Sequence, residues 1–248
     1  MASFLMIHGA WHGGWCFDRL RAPLEAPGHV MAAPTLPGMG GDAKALAAVS
    51  LEGWAQFVVA EARKLPAPVI LCGHSRGGLV ISQAAELAPE LFCALVYIST
   101  ATVLDGQSLY DAIGAAMEED RFGEALSPVA DGLGIAFAPD AAIPVFYNLC
   151  TPQDQADSAT RLIAEPVRPL GTKLRLSEKR YHSVPRHYVE CTEDRCFPIE
   201  VQRSMRAALP FASIVTLESD HSPFVCVPDQ LAAALNNLAE ERVACPRS

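Results

Sequence analysis

The sequence predicts an α/β fold: a mostly parallel sheet of about six strands, helices on both faces, and a helical cap inserted before the sheet is complete. Three observations carry this expectation. Short apolar runs alternate with segments of helical spacing, the alternation lapses in mid-chain, and a glycine-flanked serine stands where one run meets a helix.

Four apolar runs are clear: Phe4 to Ile7, Val69 to Cys72, Ala94 to Ile98, and Ile214 to Leu217. Two weaker ones are His29 to Ala33 and His187 to Cys191. Most are bounded by Gly, Ser, Thr or Pro, as buried parallel strands are. Between them, Trp54, Phe57, Val58, Glu61 and Ala62 share one helical face, and Leu79 to Leu87 form a second helix. Near the end, Leu231, Leu235 and Leu238 recur at helical spacing within Gln230 to Leu238. Parallel strands joined by helices need cover on both faces. From about Thr102 to Val184 the rhythm is lost, leaving helical stretches such as Ser108 to Met117 and Gln153 to Ala164 and no clear buried strand. The expected division is a core of residues 1–101 and 185–248 with a helical cap over 102–184.

The 248 residues are half hydrophobic and only 19% charged, enough to bury a large core. Lys and Arg number 19 against 28 Asp and Glu, a formal charge of -9. Such a surface repels phosphate backbones and anionic lipid, which argues against nucleic acid and membrane partners. The eight cysteines are scattered, several in apolar runs, as buried free thiols in a reducing cytoplasm would be. The tightest grouping, His187, Cys191 and Cys196, lacks a fourth ligand, so packing is expected there rather than zinc. The opening Ser3-Phe4-Leu5-Met6-Ile7 lacks the basic region of a secretory leader, so a cytoplasmic location is expected.

The chemistry centres on Gly73-His74-Ser75-Arg76-Gly77-Gly78. An apolar run precedes it and a helix follows, the strand–turn–helix that lifts a nucleophilic serine clear of the backbone. Glycines give the strained turn its room. A serine hydroxyl needs a base to take its proton, and in this arrangement the chain order is Ser, then Asp or Glu, then His. His221, in Glu218-Ser219-Asp220-His221-Ser222-Pro223, sits on a polar loop just beyond a strand and is the expected base. His187 lies inside a strand and is read as packing. The expected acid is Asp194, directly after the strand ending at Cys191, with Asp105 as the alternative. Glu193 should point away, and Asp220 would have to turn back on its own neighbour. The oxyanion formed on attack needs donors. Arg76, which follows the serine, should offer its backbone N–H, and Ala10 should offer another from His8-Gly9-Ala10-Trp11-His12-Gly13-Gly14-Trp15. His8 and His12 should support that loop, and His74 should pack beneath the turn.

Taken together, these motifs resemble the plant methylesterase and hydroxynitrile lyase group of α/β-hydrolases and related bacterial carboxylesterases, over nearly the whole chain. The resemblance implies the α/β-hydrolase fold, a triad of Ser75, Asp194 and His221, oxyanion amides at Ala10 and Arg76, and a helical cap. It also implies cofactor-free, metal-free cleavage of a small-molecule ester, with a homodimer as the family assembly. The lyases of the group carry a threonine near the oxyanion loop and a lysine after the catalytic histidine. Gly9 and Ser222 stand at those places, which favours the esterase over a lyase. A ligand receptor that kept the fold is the other alternative, and the intact constellation weighs against it. Arg76 departs from the apolar residue common after the serine; its guanidinium either steers an acidic substrate or, the favoured expectation, pairs with a carboxylate of the core. Phe137, Phe146 and Tyr147 either line the site for a hydrophobic ester or simply pack the cap.

Overall fold

A computed structural model of the chain describes residues 1–114 and 122–243. The strands are β1 Ser3–Ile7, β2 Val30–Ala32, β3 Val69–His74, β4 Phe92–Ile98, β5 Leu126–Val129, β6 Gly134–Phe137, β7 Glu165–Pro166, β8 Arg186–Cys191 and β9 Ser213–Leu217. The helices are α1 Asp18–Glu25, α2 Ala43–Ala48, α3 Leu51–Ala62, α4 Gly77–Leu87, α5 Leu109–Gly114, α6 Pro139–Phe146, α7 Pro152–Ala159, α8 Val167–Leu170, α9 Ile199–Arg206, α10 Pro223–Cys226 and α11 Pro228–Val243. All six expected strands form one parallel sheet in the order β2-β1-β3-β4-β8-β9.

That order positions the site. From β1 the chain crosses through α1 to β2 on one side, whereas from β3 it crosses through α4 to β4 on the other. Right-handed crossovers in opposite directions put their helices on opposite faces, and the loops after β1 and β3 part to leave a crevice. Accordingly α1 packs against α11, and α3 against α4. Every residue of β1, β3 and β8 is buried, as strands covered on both faces must be.

Two expectations need correction. The run Ile214 to Leu217 is a strand but not a buried one: β9 lies at the sheet edge, with Ile214 43% exposed and Leu217 its buried residue. An apolar sequence run reports strand propensity without reporting rank in the sheet. The second concerns the insertion between β4 and β8. It carries α5 to α8 as expected, but also a three-stranded antiparallel sheet, β5-β6-β7. These strands span two to four residues, and Pro128 and Pro166 lie within them. Strands that short show no alternation to read. Of the helix expected over Ser108 to Met117, α5 accounts for Leu109–Gly114, and the residues beyond 114 lie outside the described residues. The helix expected over Gln153 to Ala164 is α7, ending at Ala159.

Candidate active site

Ser75 sits at the turn between β3 and α4 with φ at +51°. That left-handed conformation costs a non-glycine residue on the order of 1–2 kcal/mol and is held by its surroundings. A Cβ at Gly73 would come within 2.8 Å of the Gly77 backbone, and one at Gly77 within 2.5 Å of the Ile7 carbonyl. Both positions therefore require glycine, and their close approach fixes the turn. Ser75 is 8% exposed, and its hydroxyl has no hydrogen-bond partner among the described residues.

His221 arrives from the loop after β9. The residue before Ser75 meets it directly: His74 Nε2 donates to the His221 carbonyl at 2.8 Å, and the two rings lie 4.6 Å apart. Its Nδ1 donates to Asp194 Oδ2 at 2.7 Å. Asp194 lies just beyond β8, and its other oxygen accepts the backbone N–H groups of Cys196 at 2.7 Å and Phe197 at 2.8 Å. Ser99, at the end of β4, donates its hydroxyl to the same Oδ2 that His221 uses. The structure thus brings Asp194 and His221 together, with His221 bonded to His74, the residue next to Ser75. Asp105, the alternative acid, is exposed and accepts the Leu176 N–H instead, so it plays no part. Asp220 accepts the N–H groups of Leu149 and Ser222, bracing its own loop against the insertion. His187 donates to or accepts from Ser213 in the sheet, as packing predicts.

Ser99 is a participant that sequence reasoning missed. It holds φ at +42° and ties β4 to the carboxylate. We expect Ser99→Ala, which keeps the backbone and removes one of four hydrogen bonds to a buried carboxylate, to destabilise the fold by about 1–2 kcal/mol. Urea denaturation reads this directly. An unchanged midpoint would show that the hydroxyl contributes nothing to Asp194.

The loop after β1 faces the same crevice. His8 Nδ1 donates to the Gly9 carbonyl at 2.9 Å while its Nε2 accepts the Leu36 N–H at 3.0 Å. His12 Nδ1 donates to the Ala10 carbonyl at 2.7 Å, and its Nε2 accepts from the Tyr147 hydroxyl at 2.7 Å. Burial drives His8 and His74 well below the usual histidine range and takes His12 to about 4, so all three are neutral at pH 7. His221 differs. Burial disfavours its charged form, yet the adjoining Asp194 carboxylate, with Cys196, outweighs that and raises it well above 6.5. Of these four imidazoles, His221 alone has its charged form favoured.

Arg76 is 1% exposed and pairs with Glu165, 0% exposed, at 2.9 Å between Nε and Oε1. The expected carboxylate partner exists, but it belongs to β7 of the insertion rather than to the core. Burial pushes the Glu165 carboxyl up and the guanidinium opposes that shift. Since arginine cannot shed its proton, a neutral Glu165 would leave a buried cation unpaired, so the ionised pair is favoured. Above His221, Phe146 lies 5.5 Å from its ring, 5.8 Å from Trp11 and 4.8 Å from Phe137, forming an aromatic wall. Tyr147 turns its hydroxyl to His12, supporting the loop instead of lining the wall. Among the described residues no group of three or more His, Cys, Asp and Glu is arranged to hold a metal ion, and no helix is long and apolar enough to cross a membrane.

Comparison with known proteins identifies the family. Residues 4–234 match the model of the alpha/beta hydrolase family. Methylesterase 7 of Arabidopsis thaliana is 30% identical over 254 residues, covering 96% of each chain. A pyrethroid hydrolase of Sphingobium wenxiniae is 29% identical over 97% of this chain and 88% of its own. The crystal structure of a pyrethroid hydrolase from Sphingobium faniae superposes with a TM-score of 0.84 at 27% identity, covering 96% of this chain and 97% of that one. The chain belongs to the alpha/beta hydrolase family.

Proposed function

We propose that this carboxylic ester hydrolase uses Ser75 as nucleophile, His221 as general base and Asp194 as the acid that orients it, acting on a small hydrophobic ester beneath a cap formed by residues 102–184. The observation that carries the reading is the 2.7 Å bond from His221 to Asp194 at the carboxyl ends of the strands, where Ser75 follows β3. Serine–histidine contacts of this kind commonly tighten as substrate docks, which suits an unengaged Ser75 hydroxyl. Attack on the ester carbonyl passes the serine proton to His221, and the backbone N–H groups of Ala10 and Arg76 hold the oxyanion. Neither N–H has an acceptor among the described residues. The alcohol leaves with the proton from His221, and water activated by the same imidazole releases the acid.

The aromatic wall of Trp11, Phe137 and Phe146 supports a hydrophobic substrate. Relatives named methylesterase and pyrethroid hydrolase support an ester substrate. A lyase would need a free cation for departing cyanide; Arg76 is committed to Glu165, and Gly9 and Ser222 supply none. The free thiols, five of them buried among the described residues, suit a reducing compartment such as the cytoplasm. A screen of p-nitrophenyl and methyl esters of graded size, with Ser75→Ala as blank, tests the assignment. Hydrolysis of none of them above the blank would sink it.

The histidine also fixes a pH signature. His221 must be neutral to accept the serine proton, so kcat/KM rises with pH and its acid limb should fall above pH 6.5. Stability moves the opposite way. The folded pKa is raised, so the imidazolium–Asp194 attraction stabilises fully below the unfolded value and is lost as pH climbs through the folded one. A pH–rate profile with its inflection at or below 6.5 would show that burial outweighs the Asp194 carboxylate at His221.

A further inference from the structure

The oxyanion loop is gripped on both sides of Ala10 by one buried ion pair. Arg76 Nη2 donates to the Gly9 carbonyl at 3.0 Å and to Glu165 Oε2 at 3.3 Å. The same Oε2 accepts the Trp11 N–H at 3.3 Å. A trans peptide sets its C=O and N–H in opposite directions. Pinning the Gly9 oxygen therefore aims the Ala10 N–H away from Arg76. Trp11, on the other side, sits at φ +60°, a conformation that a non-glycine residue adopts only when held. Two further bonds tie Trp11 to the insertion: its carbonyl accepts from Ile163 N at 2.8 Å, and its Nε1 donates to the Ile135 carbonyl at 3.0 Å. The guanidinium lies over the Trp54 ring at 4.5 Å, so its plane is fixed from below as well.

We propose that the Arg76–Glu165 pair is a positioning device for the oxyanion hole: the guanidinium holds the Gly9 carbonyl and the carboxylate holds the Trp11 N–H, so that the Ala10 N–H between them is aimed at the developing oxyanion only when β7 of the insertion is seated. Arg76 then serves twice. Its backbone N–H is one donor, and its side chain aims the other. Glu165 makes the donor geometry depend on the insertion, although neither side chain touches the reacting atoms. This rests on the reading that the Ala10 and Arg76 amides bind the oxyanion. Alignment of such donors acts on the transition state and not on the ground state, so its loss falls on kcat and not on KM.

The test replaces the pair as a unit. Arg76→Met/Glu165→Leu exchanges a buried ion pair for apolar groups of similar length, a change that folds commonly tolerate. With p-nitrophenyl acetate, kcat should fall about 10- to 100-fold while KM stays within about twofold. The affinity for an aryl trifluoromethyl ketone, which becomes an oxyanion on adding Ser75, should weaken by the same factor. A folded double variant with kcat near the parent value overturns the proposal. A loss of rate with unaltered ketone affinity also overturns it. Should the double variant fail to fold, Arg76→Lys keeps a cation for Glu165 but not the fork that reaches Gly9. Lowered kcat at constant KM then supports the proposal, and parent-like kcat overturns it. Failure of the underlying reading looks different: the ketone would not inhibit the parent, or Ser75→Ala would keep its activity.

Discussion

Ser75→Ala lowers kcat/KM for p-nitrophenyl esters by about 10⁴- to 10⁶-fold and leaves the folded state almost untouched. Both halves of this expectation come from the same geometry. The φ of +51° is enforced by the close approach of Gly73 to Gly77 and of Gly77 to Ile7, and alanine occupies that backbone as serine does. The hydroxyl forms no hydrogen bond among the described residues, so its removal orphans no partner and should shift stability by no more than about 0.5 kcal/mol. What disappears is the hydroxyl proposed to form the acyl-enzyme. Rapid mixing of the parent with excess p-nitrophenyl ester should show a burst of nitrophenol matched to enzyme concentration wherever deacylation is slow, and the variant should show none. A folded alanine variant retaining more than about one per cent of the parent rate would remove residue 75 from the chemistry.

How much of this was legible beforehand depends on what each feature needs. The strands announce themselves because a strand buried on both faces must be apolar throughout, as Val69 to Cys72 and Ala94 to Ile98 are. The sheet order was not legible, since pairing is set by long-range contacts. Yet the order places the loops after β1 and β3 side by side, and so brings Ala10 near Ser75. Asp194 and His221 could be picked out because each directly follows a strand, where a side chain can reach over the sheet edge. Ser99 also follows a strand, but a serine there resembles any strand-ending residue. Glu165 was hidden more thoroughly. One acid among 28, in a two-residue strand of the insertion, carries no local mark, and only its burial against Arg76 reveals its place. Arg76 itself was conspicuous for the opposite reason, as a cation where an apolar residue is usual. The position was informative, although the partner lay 89 residues away.

Asp194→Asn should be nearly as damaging as loss of the nucleophile, through a proton and not through charge alone. The wild-type carboxylate accepts four hydrogen bonds: Oδ1 takes the Cys196 and Phe197 N–H groups, and Oδ2 takes His221 Nδ1 and the Ser99 hydroxyl. An asparagine amide has one oxygen and one NH2 to share between those two places. The backbone donors of Cys196 and Phe197 cannot rotate away, and leaving them buried and unpaired costs about 1–3 kcal/mol each. The oxygen therefore settles on their side, and the NH2 turns toward His221 and Ser99. Ser99 can rotate its hydroxyl to accept. His221 can accommodate an NH2 only by giving up its Nδ1 proton, which moves the hydrogen to Nε2, the atom proposed to take the proton from Ser75. The base is then in the wrong tautomer, and kcat should drop about 10⁴-fold with KM little changed. The raised pKa of His221 should fall as well, since the Asp194 carboxylate is the leading group favouring its charged form. Residual activity should therefore keep its dependence on pH but lose the acid limb above 6.5. An asparagine variant within about tenfold of the parent, or one whose acid limb has not moved, would assign the orienting carboxylate to some other residue.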